Sequence, residues 1–157
     1  MKKVSLVFIT SLLIAQDDVT SPTLTYFSYS PDSVDVTTGS ADIEVTLGCY
    51  DDMSGLSEAS VTFKSPSGEQ SEYPYFSFQG TMQDTLTTSM TIDQYSESGL
   101  WEVDRIEIGD EVGNWHTYLT DELDSMGFQT TLFVTSTQDL VSPTLTYFSY
   151  SPDSVDV

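Results

Sequence analysis

At 157 residues, with 38% hydrophobic and 12% aromatic residues, the chain has room for one domain with a real core and is no disordered acidic tail. Its formal net charge is −21, and only Lys2, Lys3, Lys64 and Arg105 are basic. Such a chain cannot neutralise phosphates, which argues against nucleic acid and against anionic membrane surfaces as partners. The charge favours divalent cations and repulsion between neighbouring domains, or else marks a surface adapted to a saline or extracellular setting.

The N-terminus carries Lys2 and Lys3 ahead of an apolar run from Val4 to Ala15. That is the pattern of a signal peptide and too short to span a bilayer. Removal of 1–15 leaves two basic residues against 25 acidic, a net of −23. The expected location is secreted or at the cell surface, with no membrane segment after cleavage.

Ser21–Val36, SPTLTYFSYSPDSVDV, returns without a change at Ser142–Val157, an offset of 121 residues. Solenoid repeats are far shorter, so this period fits a string of independent domains. The expected division is a linker at 16–20, a first repeat over 21–136, a linker at 137–141, and the truncated start of a second repeat at 142–157.

Nearly every segment alternates with period two between turn residues. Thr23–Ser30 is a first strand with Leu24, Phe27 and Tyr29 inward. Pro31-Asp32-Ser33 breaks it, which suits an edge strand that switches partner, and Val34 and Val36 continue it. Ala41–Tyr50 buries Ile43, Val45, Leu47 and Cys49. A lone cysteine excludes an intrachain disulfide, and this one continues an apolar face, so it is expected in the core. After the polar loop 51–55, Glu58–Lys64 turns Ala59, Val61 and Phe63 inward. Tyr73–Gln79 is short and aromatic, and Thr85–Ile92 alternates again. Leu100–Ile108 carries Trp101 and Val103, then Ile106 and Ile108, and the slip between the pairs predicts a bulge. Trp115 starts a strand. Thr120–Gly127 reads as one helical turn near 121–126, with threonine capping and a closing glycine. Phe128–Val134 is the last strand. The sum is all-β: an immunoglobulin-like antiparallel two-sheet sandwich.

The series Pro22-Thr23-Leu24, Asp51-Asp52-x-Ser54-Gly55, Trp101-x-Val103-x-x-Ile106, Asp110-x-x-Gly113-Asn114 and Leu123-x-x-x-Gly127-Phe128 resembles tandem bacterial immunoglobulin-like (cadherin-like) repeats of large secreted or surface-attached proteins. The resemblance covers about 21–136 and restarts at 142. It implies a non-catalytic spacing, adhesion or matrix role, with calcium stiffening the joints. The partners it implies are neighbouring repeats in the same chain and surface glycans or proteins.

In such a sandwich the linker and two loops meet at one pole. That would gather Asp17 and Asp18, Asp51 and Asp52, and Asp110, Glu111 and Asn114. Calcium takes six to eight oxygens in a flexible arrangement, which three acidic loops can supply. The same residues also suit turns, because Asx side chains bond their own backbone; both readings stand. Asp139 would take the linker role for the second repeat, whose linker has one acid fewer. Tyr73, Tyr75 and Trp115 are candidates for sugar stacking, which would suit a carbohydrate-binding accessory module of a secreted hydrolase; strand aromatics are also ordinary core and edge cover. Catalysis has little support: His116 is the single histidine, and no nucleophile elbow, zinc cluster or phosphate loop occurs.

Overall fold

The computed structural model describes residues 17–152 except 138 and 140; the expected signal peptide over 1–15 lies outside the described residues. Among the described residues the alternating segments become ten strands: β1 Thr23–Ser30, β2 Ser33–Asp35, β3 Ala41–Tyr50, β4 Leu56–Lys64, β5 Ser71–Glu72, β6 Tyr75–Ser77, β7 Gln83–Ile92, β8 Gly99–Asp110, β9 Trp115–Leu119 and β10 Thr131–Thr135. The described residues hold one helix, α1, which spans Thr120–Ser125.

Two sheets result. One has the order β1-β3-β7; the other runs β2-β10-β8-β4-β5, with β6 also on β4 and β9 also on β8. This is the connectivity of an immunoglobulin-like sandwich, with the first, second and fourth long strands, β1, β3 and β7, facing the others. Inward residues of both sheets share one core. Ile43, Val45, Leu47 and Cys49 of β3 are all fully buried, as are Val61 and Phe63 of β4 and Trp101, Val103, Ile106 and Ile108 of β8. Burying each larger side chain contributes about 1.5–3 kcal/mol before the cost of ordering it.

The partner switch at Pro31 is observed. β1 pairs antiparallel with β3, whereas β2 pairs with β10 of the other sheet. The β2–β10 pair is parallel, so the second sheet is mixed, where an antiparallel one is expected. A short strand that crosses between sheets and continues in the same direction meets β10 running alongside it. The β8 bulge is also present: Phe63 faces Val103 and Thr62 faces Arg105, which leaves Asp104 as the extra residue. Freed from the ladder, the Asp104 carboxylate takes Lys64 at 3.0 Å and Arg105 at 2.9 Å.

Two local expectations are corrected. The residue capping α1 is Leu119, without a side-chain cap bond. Thr120 Oγ1 instead donates to the Val103 carbonyl at 2.8 Å, which ties the helix to β8 at its bulge. The last strand starts at Thr131, not Phe128, because Phe128 closes the helix. Its N–H donates to Leu123 O, and that of Gly127 to Asp124 O. This pair of bonds is the Schellman motif, and Gly127 at φ 83° supplies its left-handed residue.

Candidate metal centre

β3 ends and β4 begins at one pole of the sandwich, and β8 ends there too. The 51–55 loop and the 110–114 loop therefore lie side by side. Gly55 joins them. Its N–H donates to Asp51 Oδ2 at 2.7 Å and its carbonyl accepts the Glu111 N–H at 2.9 Å. Only glycine serves here: φ is +94°, and a Cβ would lie 2.3 Å from the Gly80 carbonyl oxygen. The segment before β1 crosses the same pole. Asp18 Oδ2 accepts the Ser54 N–H at 2.8 Å, and the Asp18 carbonyl accepts Asn114 Nδ2 at 3.3 Å.

The result is a cluster of three acids. Asp18, Asp51 and Asp110 each place a carboxylate oxygen within 4.8 Å of the other two. Calcium–oxygen distances are about 2.3–2.6 Å, so oxygens around one ion lie up to about 5 Å apart, and this spacing fits one shared ion. Asp51 and Asp110 are buried, at 1% and 4% exposure.

Each acid also serves a turn. Asp18 Oδ1 accepts the Thr20 N–H at 3.1 Å, Asp51 Oδ2 that of Met53 at 3.1 Å, and Asp110 Oδ1 those of Val112 at 3.0 Å and Asn114 at 2.8 Å. The Asn114 amide donates to Asp110 Oδ2 at 2.7 Å. These donors shape the titration of Asp18 and Asp110. The Ser54 hydroxyl lies near Asp18 without good hydrogen-bond geometry. Its proximity is still the largest influence holding that carboxyl below its usual range, followed by the Thr20 N–H. Burial pushes the Asp110 carboxyl up, but the Asn114 amide and the N–H groups of Asn114, Val112 and Gly113 together hold it down. Besides the Ser54 hydroxyl, one carboxylate oxygen is left over. Asp51 Oδ1 is buried and has no hydrogen-bond partner among the described residues. A turn needs only Oδ2, and a buried carboxylate oxygen without a partner is costly.

The other expected ligands fall around this trio. Asp52 accepts the Thr20 hydroxyl, as does Asp18. Asn114 sits between Asp18 and Asp110 as a donor. Asp17 and Glu111 are exposed and lie outside the trio; Glu111 contributes through its N–H. Ser54 enters the sequence reading only as part of the Asp51-Asp52-x-Ser54-Gly55 motif, and Thr20 is not singled out there; its place two residues beyond Asp18 is the available signal.

The sugar-stacking candidates do not form one platform. Tyr75 donates to Glu58 across β4, Tyr73 borders a shallow groove with Asp93 and Thr91, and Trp115 lies over Gly109, where a Cβ would meet its ring at 2.8 Å. A groove of about 720 Å³ is open and polar, lined by residues such as Gln70, Glu72, Asp93 and Tyr95. It is separate from the acid trio and gathers no comparable set of ligands.

A scan against protein-family models finds no match, and a search of curated proteins finds no related sequence.

Proposed function

We propose that the chain is a non-catalytic extracellular repeat domain, a spacer or adhesion module, and that its acidic pole holds calcium and fixes the incoming linker to the domain body. The observation that carries the proposal is the buried Asp51 Oδ1, without a partner among the described residues, inside a trio of carboxylates spaced for one ion. Asp18 belongs to the linker, whereas Asp51 and Asp110 belong to the sandwich, so an ion shared by all three joins linker to body. Turn chemistry explains the backbone bonds to these acids but leaves that oxygen without a role. The resemblance to secreted immunoglobulin-like repeats and the 121-residue period agree with an array that needs stiff joints.

Amide hydrogen exchange of the full chain tests the proposal. Calcium should slow exchange at residues 18–23, 51–55 and 110–114 and leave the middle of β3 and β7 unchanged. No change at the three segments would contradict it.

A further inference from the structure

Among the described residues two buried side-chain oxygens have no hydrogen-bond partner, and both come from the loop between β3 and β4: Asp51 Oδ1 and Ser54 Oγ. Asp51 belongs to the acid trio. Ser54 contributes a neutral oxygen that no turn uses. A hydroxyl rotates to find a partner, so one that is buried and finds none is costly. The backbone of the loop is fully engaged. The N–H groups of Met53 and Gly55 donate to Asp51 Oδ2 at 3.1 and 2.7 Å, and that of Ser54 donates to Asp18 Oδ2 at 2.8 Å. Three successive N–H groups thus go to carboxylates of the trio and leave the two side-chain oxygens over.

We infer that the Ser54 hydroxyl is a ligand of the ion at this pole, a neutral fourth oxygen beside Asp18, Asp51 and Asp110, and that it sets the class of ion the pole takes. The inference rests on the reading of the pole as an ion site. Three observations support it. First, Ser54 Oγ lies near the Asp18 carboxylate yet has no geometry to donate to it, and it does not pair with Asp51 Oδ1 either. A hydroxyl and a carboxylate oxygen of one short loop ordinarily bond to each other; two that do not are both free to serve a cation. Second, Ser54 is held in place before any ion arrives. Its own N–H is tied to Asp18, and the next residue, Gly55, is tied to Asp51 and to the Glu111 N–H. Third, the trio carries three negative charges, which already exceed those of a divalent ion. Calcium takes six to eight oxygens, and a hydroxyl adds one without adding repulsion.

Two consequences separate a ligand from a structural hydroxyl. An unpartnered buried hydroxyl destabilises a site that holds no ion, and an apolar group in its place is neutral or stabilising. Ser54→Ala should therefore leave the protein without calcium as stable as the parent or more so, and weaken its response to calcium. A hydroxyl that holds the loop together would do the reverse. The second consequence concerns the class of ion. Carboxylate and hydroxyl oxygens suit hard ions such as calcium, whereas a thiolate is soft and selects ions that prefer sulfur. Cysteine at position 54 exchanges one donor atom at a fixed place. It should turn the pole from calcium toward cadmium, which resembles calcium in size and prefers sulfur. The native thiol, Cys49, is common to every variant and is fully buried.

The test measures the thermal midpoint of the full chain, of Ser54→Ala and of Ser54→Cys, in chelator and over concentration series of calcium and of cadmium, with far-UV circular dichroism reporting the fold. The parent should rise with calcium. Ser54→Ala should match or exceed the parent in chelator and need about tenfold more calcium, or a greater excess, for the same rise; loss of an outer-shell partner alone weakens metal sites about 10–100-fold. Ser54→Cys should lose calcium response in the same way and respond to cadmium at about a tenth of the concentration the parent needs, or less. A parent indifferent to calcium overturns the ion reading, and the role of Ser54 falls with it. A parent that responds, alongside a Ser54→Ala variant that responds at the same concentrations, leaves the ion reading standing and overturns the role of Ser54. So does a Ser54→Ala midpoint below the parent's in chelator, or a Ser54→Cys variant with no gain in cadmium response.

Discussion

Asp18 and Ser54, 36 residues apart, are joined by an N–H···Oδ2 hydrogen bond of 2.8 Å that fastens the segment before β1 to the loop between β3 and β4. It is the contact through which an ion at the pole would reach the linker. Asp18→Ala removes it together with the turn bond to Thr20. The expected outcome is faster amide exchange at Ser54 and Thr20, with the β3–β7 ladder unchanged. Equal exchange in the variant and the parent would show that the linker is held by other contacts.

Acid should weaken the pole. The Asp18 and Asp110 carboxyls sit below the ordinary value of 3.8 in the folded protein. Groups depressed by folding contribute stability that is complete above 3.8 and is lost as pH falls below it through their folded values. The thermal midpoint should therefore fall on acidification in that window. Asp110→Asn should flatten the fall. An identical pH profile in the variant would remove Asp110 from the account.

Cys49 should be inert in the native state. It is fully buried opposite Leu24, and burial pushes its thiol up to about 12 from 9.0. A raised value means that the stability it contributes is present below pH 9 and declines above it, as the unfolded thiol ionises first. A thiol reagent at neutral pH should label the protein only after denaturation. Cys49→Ser should destabilise by about 1–3 kcal/mol, the usual effect of an unpaired hydroxyl in a core. Rapid native labelling would contradict the burial.

Gly55 should tolerate no side chain. Alanine there adopts a left-handed backbone, at a cost of roughly 1–2 kcal/mol, and its Cβ collides with the Gly80 backbone. Denaturant unfolding of Gly55→Ala should show a loss of at least about 2 kcal/mol, with overpacking adding to the backbone term. Gly113→Ala is the comparison. Its φ is also positive, but nothing lies within 4 Å of the added Cβ, so its loss should be smaller. Equal losses would mean that contact with Gly80 is unimportant.

Much of the fold is legible in the residues because alternation is a local property. Ile43, Val45, Leu47 and Cys49 share a face of any strand they form, and the slip between Val103 and Ile106 marks the bulge at Asp104 before any partner is known. Pro31, which lacks an N–H, marks the change of sheet. What is not local is less legible. Thr120 reads as a helix cap, yet its hydroxyl is taken by the Val103 carbonyl of a neighbouring strand. The burial of Asp51 depends on how the 51–55 and 110–114 loops pack, and an Asp-Asp pair in a polar loop ordinarily reads as solvated.

The shared-ion account is tested most directly by thermal unfolding of the full chain in chelator, in millimolar calcium and in equal magnesium, with Asp51→Asn plus Asp110→Asn alongside. Three carboxylates held within 4.8 Å repel one another without a cation; at 4 Å and an effective dielectric near 20 each pair costs about 4 kcal/mol before hydrogen bonds offset it. A bound divalent ion reverses that sign and stabilises by about 2.7 kcal/mol at a hundredfold excess over its dissociation constant, a rise of roughly 10 °C for a domain of this size. Magnesium should do less, because it demands tighter octahedral geometry and sheds water reluctantly. The account predicts a calcium-specific rise in the parent that disappears in the double variant. A midpoint raised equally by magnesium, or raised equally in the double variant, would make the three acids turn residues and nothing more.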